Sequence, residues 1–446
     1  MRVQIKDPKD FKLVFEKVTG QKLDDSISGI TNDSRQIKQG DLYIALKGKH
    51  FDGHDFLASV RDSGACAALV SSRNNDINMQ QVKVANTLQT LGDIGKEWRS
   101  QFDIPVIAIT GSNGKTSTKE LLIHVLSINN SVHATEGNFN TSIGLPLTLL
   151  QLHKHHDVSI IEIGASKVGE IEYLTSIAKP THGLITNIAP AHLEGFGSIE
   201  NIAFEKSSLF RALSNGISFI NNSDEVISKM DYPGDKITFG FNPDCDFPAD
   251  IHQEDNGDLT LTIDSYEIPT QSQNLSFLKN SIAVCAISVT LGTKWRNVAK
   301  QIQSFDPPPG RCNVKKINNI TVIDDTYNAN LVSSLAALDY LKAFSGNGRK
   351  IFVFGDMFEL GSSSEKQHQK IGEKCLELEL DIVLTIGDHT IHTKNAINNR
   401  INHFHFKNHD ELINHLKNCI YPGDKILFKG SRGMKMETVI DGVFSS

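Results

Sequence analysis

A chain of 446 residues with 39% hydrophobic and 22% charged residues is long enough to bury several cores, and its length suggests about three domains. The formal net charge of −7, with no basic stripe to offset it, argues against a nucleic-acid binder, and six scattered cysteines without a Cys-x-x-Cys pair point to reduced thiols in the cytoplasm. No apolar run approaches the ~20 residues that span a bilayer, and the opening MRVQIKDPKD lacks the apolar core of a signal peptide.

Residues 1–100 mix short strands and helices. Phe11, Val14, Phe15 and Val18 recur at helical spacing over 10–18, segments 27–30 and 42–46 read as strands, and a helix over 55–61 leads into a strand over 67–70. Polar loops punctuated by glycine separate them: Thr31-Asn-Asp-Ser-Arg35, the run 40–48, and Asp52-Gly-His54. Loops at strand ends are where small-molecule sites lie, although on composition alone a solvated turn is the better account of Asp33, Ser34 and Arg35. A helix over 88–99 leads into the next unit.

From 105 to about 240, strands alternate with helices. Strands are expected over 106–110, 132–135, 158–163, 183–187, 217–220 and 236–239, with helices near 115–128, 143–150, 168–178, 199–213 and 224–230. This order predicts a parallel sheet covered on both faces, with its site beyond the carboxyl ends of the strands. That rule gathers four segments into one cleft: 110–117, 136–141, 162–166 and 187–194.

The first of these is the most informative. The apolar residues 106–109 run into Thr110, Gly111, Ser112, Asn113 and Gly114, and a helical pattern opens at Lys115, Thr116 and Ser117. A strand, a glycine turn and a helix N-terminus together form an anion site, because first-turn N–H groups lack intrahelical partners and the helix dipole favours negative charge. Glycine allows close approach to a phosphate, Lys115 adds a point charge, and the Thr116 hydroxyl can ligate Mg²⁺. The usual spacing would place a glycine at position 109, which is Ile109, so this is a shortened phosphate loop. The chain is expected to bind a nucleoside triphosphate.

Farther on, 259–263 alternates in period two after the hairpin signal Asp255-Asn-Gly-Asp258, a helix runs over 278–291, and Pro307-Pro-Pro-Gly310 marks a hinge. Residues 311–446 form a third α/β unit, with strands over 320–324, 350–354, 382–386 and 425–428 and helices near 332–344, 364–379, 409–418 and 435–442. The turn after Phe354 carries a single glycine and acidic residues, so no dinucleotide cofactor is expected there.

Several residues in these segments can carry chemistry. Glu162 ends a buried strand beside the phosphate loop and suits Mg²⁺, which takes oxygen ligands and bridges substrate phosphates. His192 leaves a strand end on the same side, although Mg²⁺ seldom prefers nitrogen. Lys206 sits in a helix, where a lysine is commonly a solvated face. Asn138, Asn140 and Thr141 offer neutral contacts to a polar substrate, and His153, His155 and His156 read as surface. Arg311 follows the hinge and can reach back with a guanidinium suited to phosphate. Asp325 and Asn328 follow a strand, where they can meet ribose or orient basic groups; the basic turn 429–433 is equally well a plain connection.

With these residues in place, the chain resembles the ATP-dependent Mur ligases of bacterial cell-wall synthesis over its whole length. The matching runs are DSR (33–35), GDLYIALKG (40–48), TGSNGKTSTKE (110–120), GNFNTSIGLPLTLL (137–150), EIGASKVGEI (162–171), NIAPAHLEGFGS (187–198), PPGR (308–311), DDTYNAN (324–330), FGDMFELG (354–361) and KGSRGMKME (429–437). The last three point to the family step that joins D-alanyl-D-alanine to UDP-N-acetylmuramoyl-tripeptide. Two departures stand out: Ser166 where asparagine is common, and Phe204-Glu205 where small residues usually precede the lysine.

The resemblance implies an α/β protein of three domains. These are a small mixed UDP-sugar-binding domain (1–100), a central parallel-sheet ATPase-like domain (101–308) and a Rossmann-like C-terminal ligase domain (309–446). It implies that Ser34 and Arg35 hold the uridine diphosphate end, that Lys115 meets the β- and γ-phosphates, and that two Mg²⁺ ions are bound. Thr116 and Glu162 would hold one ion; His192 and a carbamylated Lys206 would hold the second. Asn280 would touch the base, and Arg311, Asp325 and Asn328 would close over ATP. A cytoplasmic monomer is expected. Folylpolyglutamate synthases share the phosphate loop, so another ligase step of this type is an alternative. A catalytically inactive nucleotide-binding scaffold is a third reading, against which Lys115, Glu162 and His192 speak.

Overall fold

The computed structural model describes residues 1–230 and 232–445. Three sheets organise the chain. The central one has nine strands, and its site-bearing strand Val106–Thr110 lies between Val158–Glu162 and His182–Ile185, parallel to both. Strand Val106–Thr110 is buried throughout because both of its faces are covered. Val106 and Ala108 enter one core with Trp98, Leu145, Ile171 and Leu209, whereas Ile107 and Ile109 enter another with Leu121, Leu122 and Ile282. Beyond Asp235–Gly240 the sheet is extended by Phe247–Gln253, and the antiparallel strands Leu259–Ile263 and Tyr266–Pro269 complete that edge, as the hairpin signal required.

The first sheet has five strands, and its core is continuous with one face of the central sheet. Helix Thr87–Arg99 makes the join. Trp98 lies near Phe11 on one side and donates its indole N–H to the Leu152 carbonyl at 3.1 Å on the other. The third sheet has six strands and keeps two cores of its own, one on each face. Its joint with the rest, at Pro307-Pro-Pro-Gly310, therefore crosses no shared apolar core. Among the described residues, no helix is long and apolar enough to cross a membrane.

Most expected elements form within a few residues of their expected ends. The pattern missed the strands Arg2–Gln4, Gln80–Lys83, Asn313–Ile317 and Asn402–Phe406, and the helices Leu193–Phe196, Trp295–Gln303 and Ile391–Ile397. The four strands lie at sheet edges and carry Gln, Lys, Asn or His on an exposed side, so their sequences lack the apolar runs of the central strands.

His133, 4% exposed, ties strand Val132–Ala134 to its surroundings. Its Nδ1 accepts from the Ser159 hydroxyl at 2.8 Å and its Nε2–H donates to the Thr148 carbonyl at 2.9 Å. Burial pushes its pKa down from 6.5 to about 3. The unfolded chain takes up this proton first as pH falls, so between these values acid favours unfolding. His133→Gln removes that titration. Urea unfolding at about pH 7 and about pH 4 should show a smaller loss of stability on acidification in the variant than in the parent.

Candidate active site

A cavity of about 870 Å³ runs across the carboxyl ends of the central strands and under the third domain. The phosphate loop is its floor. Gly111 (φ 146°) and Gly114 (φ 80°) occupy backbone regions that L side chains rarely adopt. A Cβ on Gly111 would lie 1.9 Å from the Thr186 hydroxyl. No side chain caps the helix Lys115–Leu126, which leaves its first-turn N–H groups available to an anion.

The loop is laced to the next strand end. The Asn113 carbonyl accepts from the Thr186 hydroxyl (2.6 Å) and the Asn187 amide (3.0 Å), and the Asn113 N–H donates to Asn187 Oδ1. The Ser112 hydroxyl donates to the Ala189 carbonyl at 2.8 Å and accepts from the Ala189 N–H at 2.9 Å. Position 192 is thereby fixed relative to position 115.

Lys115, Glu162 and Lys206 create the electrostatics. Lys115 Nζ donates to the Gly111 carbonyl at 2.7 Å. Burial lowers its pKa, with nearby Glu162 working in the opposite sense and Arg311 adding to the depression. Glu162 is 3% exposed; its Oε1 accepts from the Asn140 amide at 2.8 Å, while Oε2 has no partner. A buried carboxylate with one unpaired oxygen is costly and calls for a cation. Among the described residues, no three His, Cys, Asp or Glu side chains converge as a ready-made metal cluster. The donor set therefore fits Mg²⁺, which draws one or two protein oxygens and completes its shell with phosphate and water.

Lys206 is 3% exposed rather than solvated, and its pKa is pushed well below the ordinary lysine value, first by burial and then by Lys115. The departures beside it are accommodated. Glu205 accepts from the backbone N–H groups of Gly169 (2.7 Å) and Ile171 (2.6 Å), capping the helix Glu170–Ala178, and Phe204 points outward under the Arg211 guanidinium.

The third domain supplies the roof. Arg311 lies over the Tyr327 ring, 3.7 Å from its centroid, and donates to the Thr116 hydroxyl at 2.9 Å. Asn330, the N-cap of helix Leu331–Ala343, donates its amide to Asn113 Oδ1 at 2.6 Å. Lys429 pairs with Asp325 and donates to the Asn328 carbonyl at 3.0 Å, so Asp325 acts here through Lys429. Glu359 meets His192 Nδ1.

Thus Ser112–Ser117, Asn140, Thr141, Glu162, His192, Asn280, Arg311, Asp325 and Asn328 share one cavity wall, with Thr110 and Gly111 beneath the loop. Asn138 is exposed and outside that wall. Ser34 and Arg35 lie in a short turn of the first domain, where Arg35 pairs with Asp33 at 2.8 Å and holds that carboxyl down at about 2. Asn187, Asn330, Lys429 and Glu359 received no individual role from sequence. Only Asn330 carried a local signal, the N-cap asparagine three residues before Ser333.

Comparison with known proteins agrees along the length of the chain. Residues 26–99 match the Mur ligase family catalytic domain, 109–288 the Mur ligase middle domain, and 310–432 the Mur ligase glutamate ligase domain. The UDP-N-acetylmuramoyl-tripeptide–D-alanyl-D-alanine ligase of Escherichia coli strain K12 is 35% identical over 439 residues, covering 94% of each chain. The chain belongs to the Mur ligase family. Its counterpart of the same name in Bacillus subtilis strain 168 is 33% identical over 94% of each chain. Among solved Mur ligase structures, MurF from Acinetobacter baumannii superposes with a TM-score of 0.88 at 31% identity over 98% of each chain. MurF from Thermotoga maritima, solved with ADP, does so at 0.82 and 29% identity, over 93% of this chain and 96% of that one.

Gly111→Ala should lower nucleotide affinity by tenfold or more, since the loop must deform to clear Thr186. Isothermal titration with ADP measures this loss, while the far-ultraviolet circular dichroism of the variant should stay that of the parent.

Proposed function

We propose that this Mur ligase joins D-alanyl-D-alanine to UDP-N-acetylmuramoyl-tripeptide with cleavage of ATP to ADP and phosphate. The observation that carries the reading is the unpaired Oε2 of Glu162, buried beside Lys115 at the mouth of a glycine-built phosphate loop and under a roof from another domain. The names of the relatives supply the substrates. We divide the chain into a UDP-sugar-binding unit (1–100), an ATP-binding unit (101–308) and a ligase unit (309–446), and place it in the cytoplasm as a monomer. Its six cysteines are free, in keeping with that compartment.

Asn221, Phe241, Asn280, Thr141, Ser166 and Tyr173 all line the cavity; we assign the first three to the nucleotide and the last three to the tripeptide. Its terminal carboxylate attacks the γ-phosphorus, the bond to the β-phosphate oxygen breaks, and an acyl phosphate forms. The free amine of D-alanyl-D-alanine then attacks the acyl carbon, loses a proton and expels phosphate. Lys115 and the loop N–H groups hold the transferred phosphoryl group, and Arg311 adds a second cation from above. Thr116 and Glu162 would hold one Mg²⁺, and His192 with Lys206 a second; when bound, these ions neutralise charge on the phosphates. Arg311 donates to Thr116, so a metal ion held by that hydroxyl would require the guanidinium to turn away from it.

Lys206 becomes a metal ligand by carbamylation. Its depressed pKa favours the neutral amine, whose nitrogen attacks carbon dioxide: an N–C bond forms, one C=O π bond opens onto its oxygen, and the nitrogen releases a proton. Asn138, Ser34 and Arg35 remain candidates for the UDP-sugar end of the substrate. The roof keeps water from the acyl phosphate.

Lys115→Ala and Glu162→Gln should each lower dipeptide-dependent phosphate release by 100-fold or more, with unchanged thermal melting. Turnover within tenfold of the parent in either would refute the assigned role, and release that needs no dipeptide would refute the ligase reading. Depleting bicarbonate should also lower activity, and short carboxylic acids should partly restore Lys206→Ala. Failure of both would remove the carbamate.

A further inference from the structure

The contact between His192 and Glu359 has a consequence for the roof. Both residues are non-glycine yet lie in the left-handed region, at φ 52° and φ 61°. Each is held there by its own domain. The His192 carbonyl accepts from the N–H groups of Gly195 (2.9 Å) and Phe196 (3.1 Å). On the other side, Phe358 N–H donates to the Ser431 hydroxyl at 2.8 Å and Met357 N–H to His368 Nε2 at 3.1 Å, fixing the turn that carries Glu359. The two turns meet twice: His192 Nδ1 against the Glu359 carboxylate, and Glu194 N–H on the Glu359 carbonyl at 3.3 Å.

A carboxylate accepts and cannot donate, so Nδ1 carries the proton in this pair. In the neutral ring, Nε2 is then the nitrogen with the lone pair. It makes no hydrogen bond among the described residues, and His192 lines the cavity. In this tautomer the imidazole can serve as a ligand or a proton acceptor toward the cavity; with the proton on Nε2 it can do neither. Carboxylates behind histidine ligands fix ring orientation and tautomer in this way.

We propose that Glu359 is a positioning residue that sets His192 in the Nδ1–H tautomer only when the third domain is closed, so that closure itself completes the site. The phosphate loop can accept nucleotide in the open arrangement, but His192 is competent only under the roof. The kinetic consequence rests on the ligase reading above, whereas the tautomer is independent of it.

The test uses the full chain saturated with a non-hydrolysable ATP analogue. Long-range ¹H–¹⁵N correlation spectra report the tautomer of each histidine, with His192→Asn assigning the His192 signals. The parent should show Nδ1–H, and Glu359→Ala a mixture or the Nε2–H form. In turnover assays Glu359→Ala should lower kcat by about 10- to 100-fold with KM for ATP within about twofold, and Glu359→Gln, which keeps an acceptor oxygen, should recover part of the loss. An unchanged tautomer in Glu359→Ala overturns the proposal, including when activity falls together with the melting temperature. So does a changed tautomer with kcat within twofold of the parent. Absence of dipeptide-dependent phosphate release in the unsubstituted protein would refute the ligase reading and leave the tautomer result standing.

Discussion

The half-buried amine of Lys115 lies between two buried groups, the carboxylate of Glu162 in the cavity wall and the amine of Lys206 behind it, and the rest of the site follows from that crowding. Burial disfavours the charge on both lysines; Lys115 depresses Lys206 further, and Arg311 does the same to Lys115. Glu162 offsets part of this for Lys115, but one of its own oxygens is left without a partner. Such a constellation is a poor way to stabilise a fold. It suits a place where phosphate and a divalent cation arrive together, since each supplies the charge that the protein side lacks.

Keeping these groups in register requires rigid floors. Phosphate loop and neighbouring strand end are tied by six hydrogen bonds through Ser112, Asn113, Thr186, Asn187 and Ala189, all short-range in space but more than seventy residues apart in sequence. The first domain is fused to this floor through the core around Trp98. The roof differs in kind. It has separate cores on both faces of its sheet, and it meets the floor through polar pairs: Arg311 with Thr116, Asn330 with Asn113, and Glu359 with His192. Polar pairs can exchange partners with water or ligand, which an apolar core cannot do cheaply, so this is the joint that can open.

Membership of the Mur ligase family gives this division a use. The acyl phosphate of the proposed reaction is destroyed by water, so the chemistry needs a lid, and the substrates need a way in. A floor built in one piece with the first domain would, on the proposed reading, hold the long substrate still while the roof opens and closes.

Much of this was legible in the residues themselves. The run from Val106 to Ser117 determines a buried strand, a glycine turn and an anion-binding helix start, because those depend on side-chain period and on backbone freedom at Gly111 and Gly114. The alternation over the central unit determined a parallel sheet, and with it the gathering of Asn140, Glu162 and His192 at one edge. Edge strands such as Asn313–Ile317 escaped notice because residues facing water, here Lys315 and Lys316, interrupt the apolar run. What only the tertiary structure decided are relations between distant segments: that Lys206 is buried beside Lys115 rather than solvated, that Asp325 is spent on Lys429, that Asn138 lies outside the cavity, and that Glu359 reaches His192. None of these leaves a periodic trace, since each depends on where a third element places its backbone rather than on the residues that flank it.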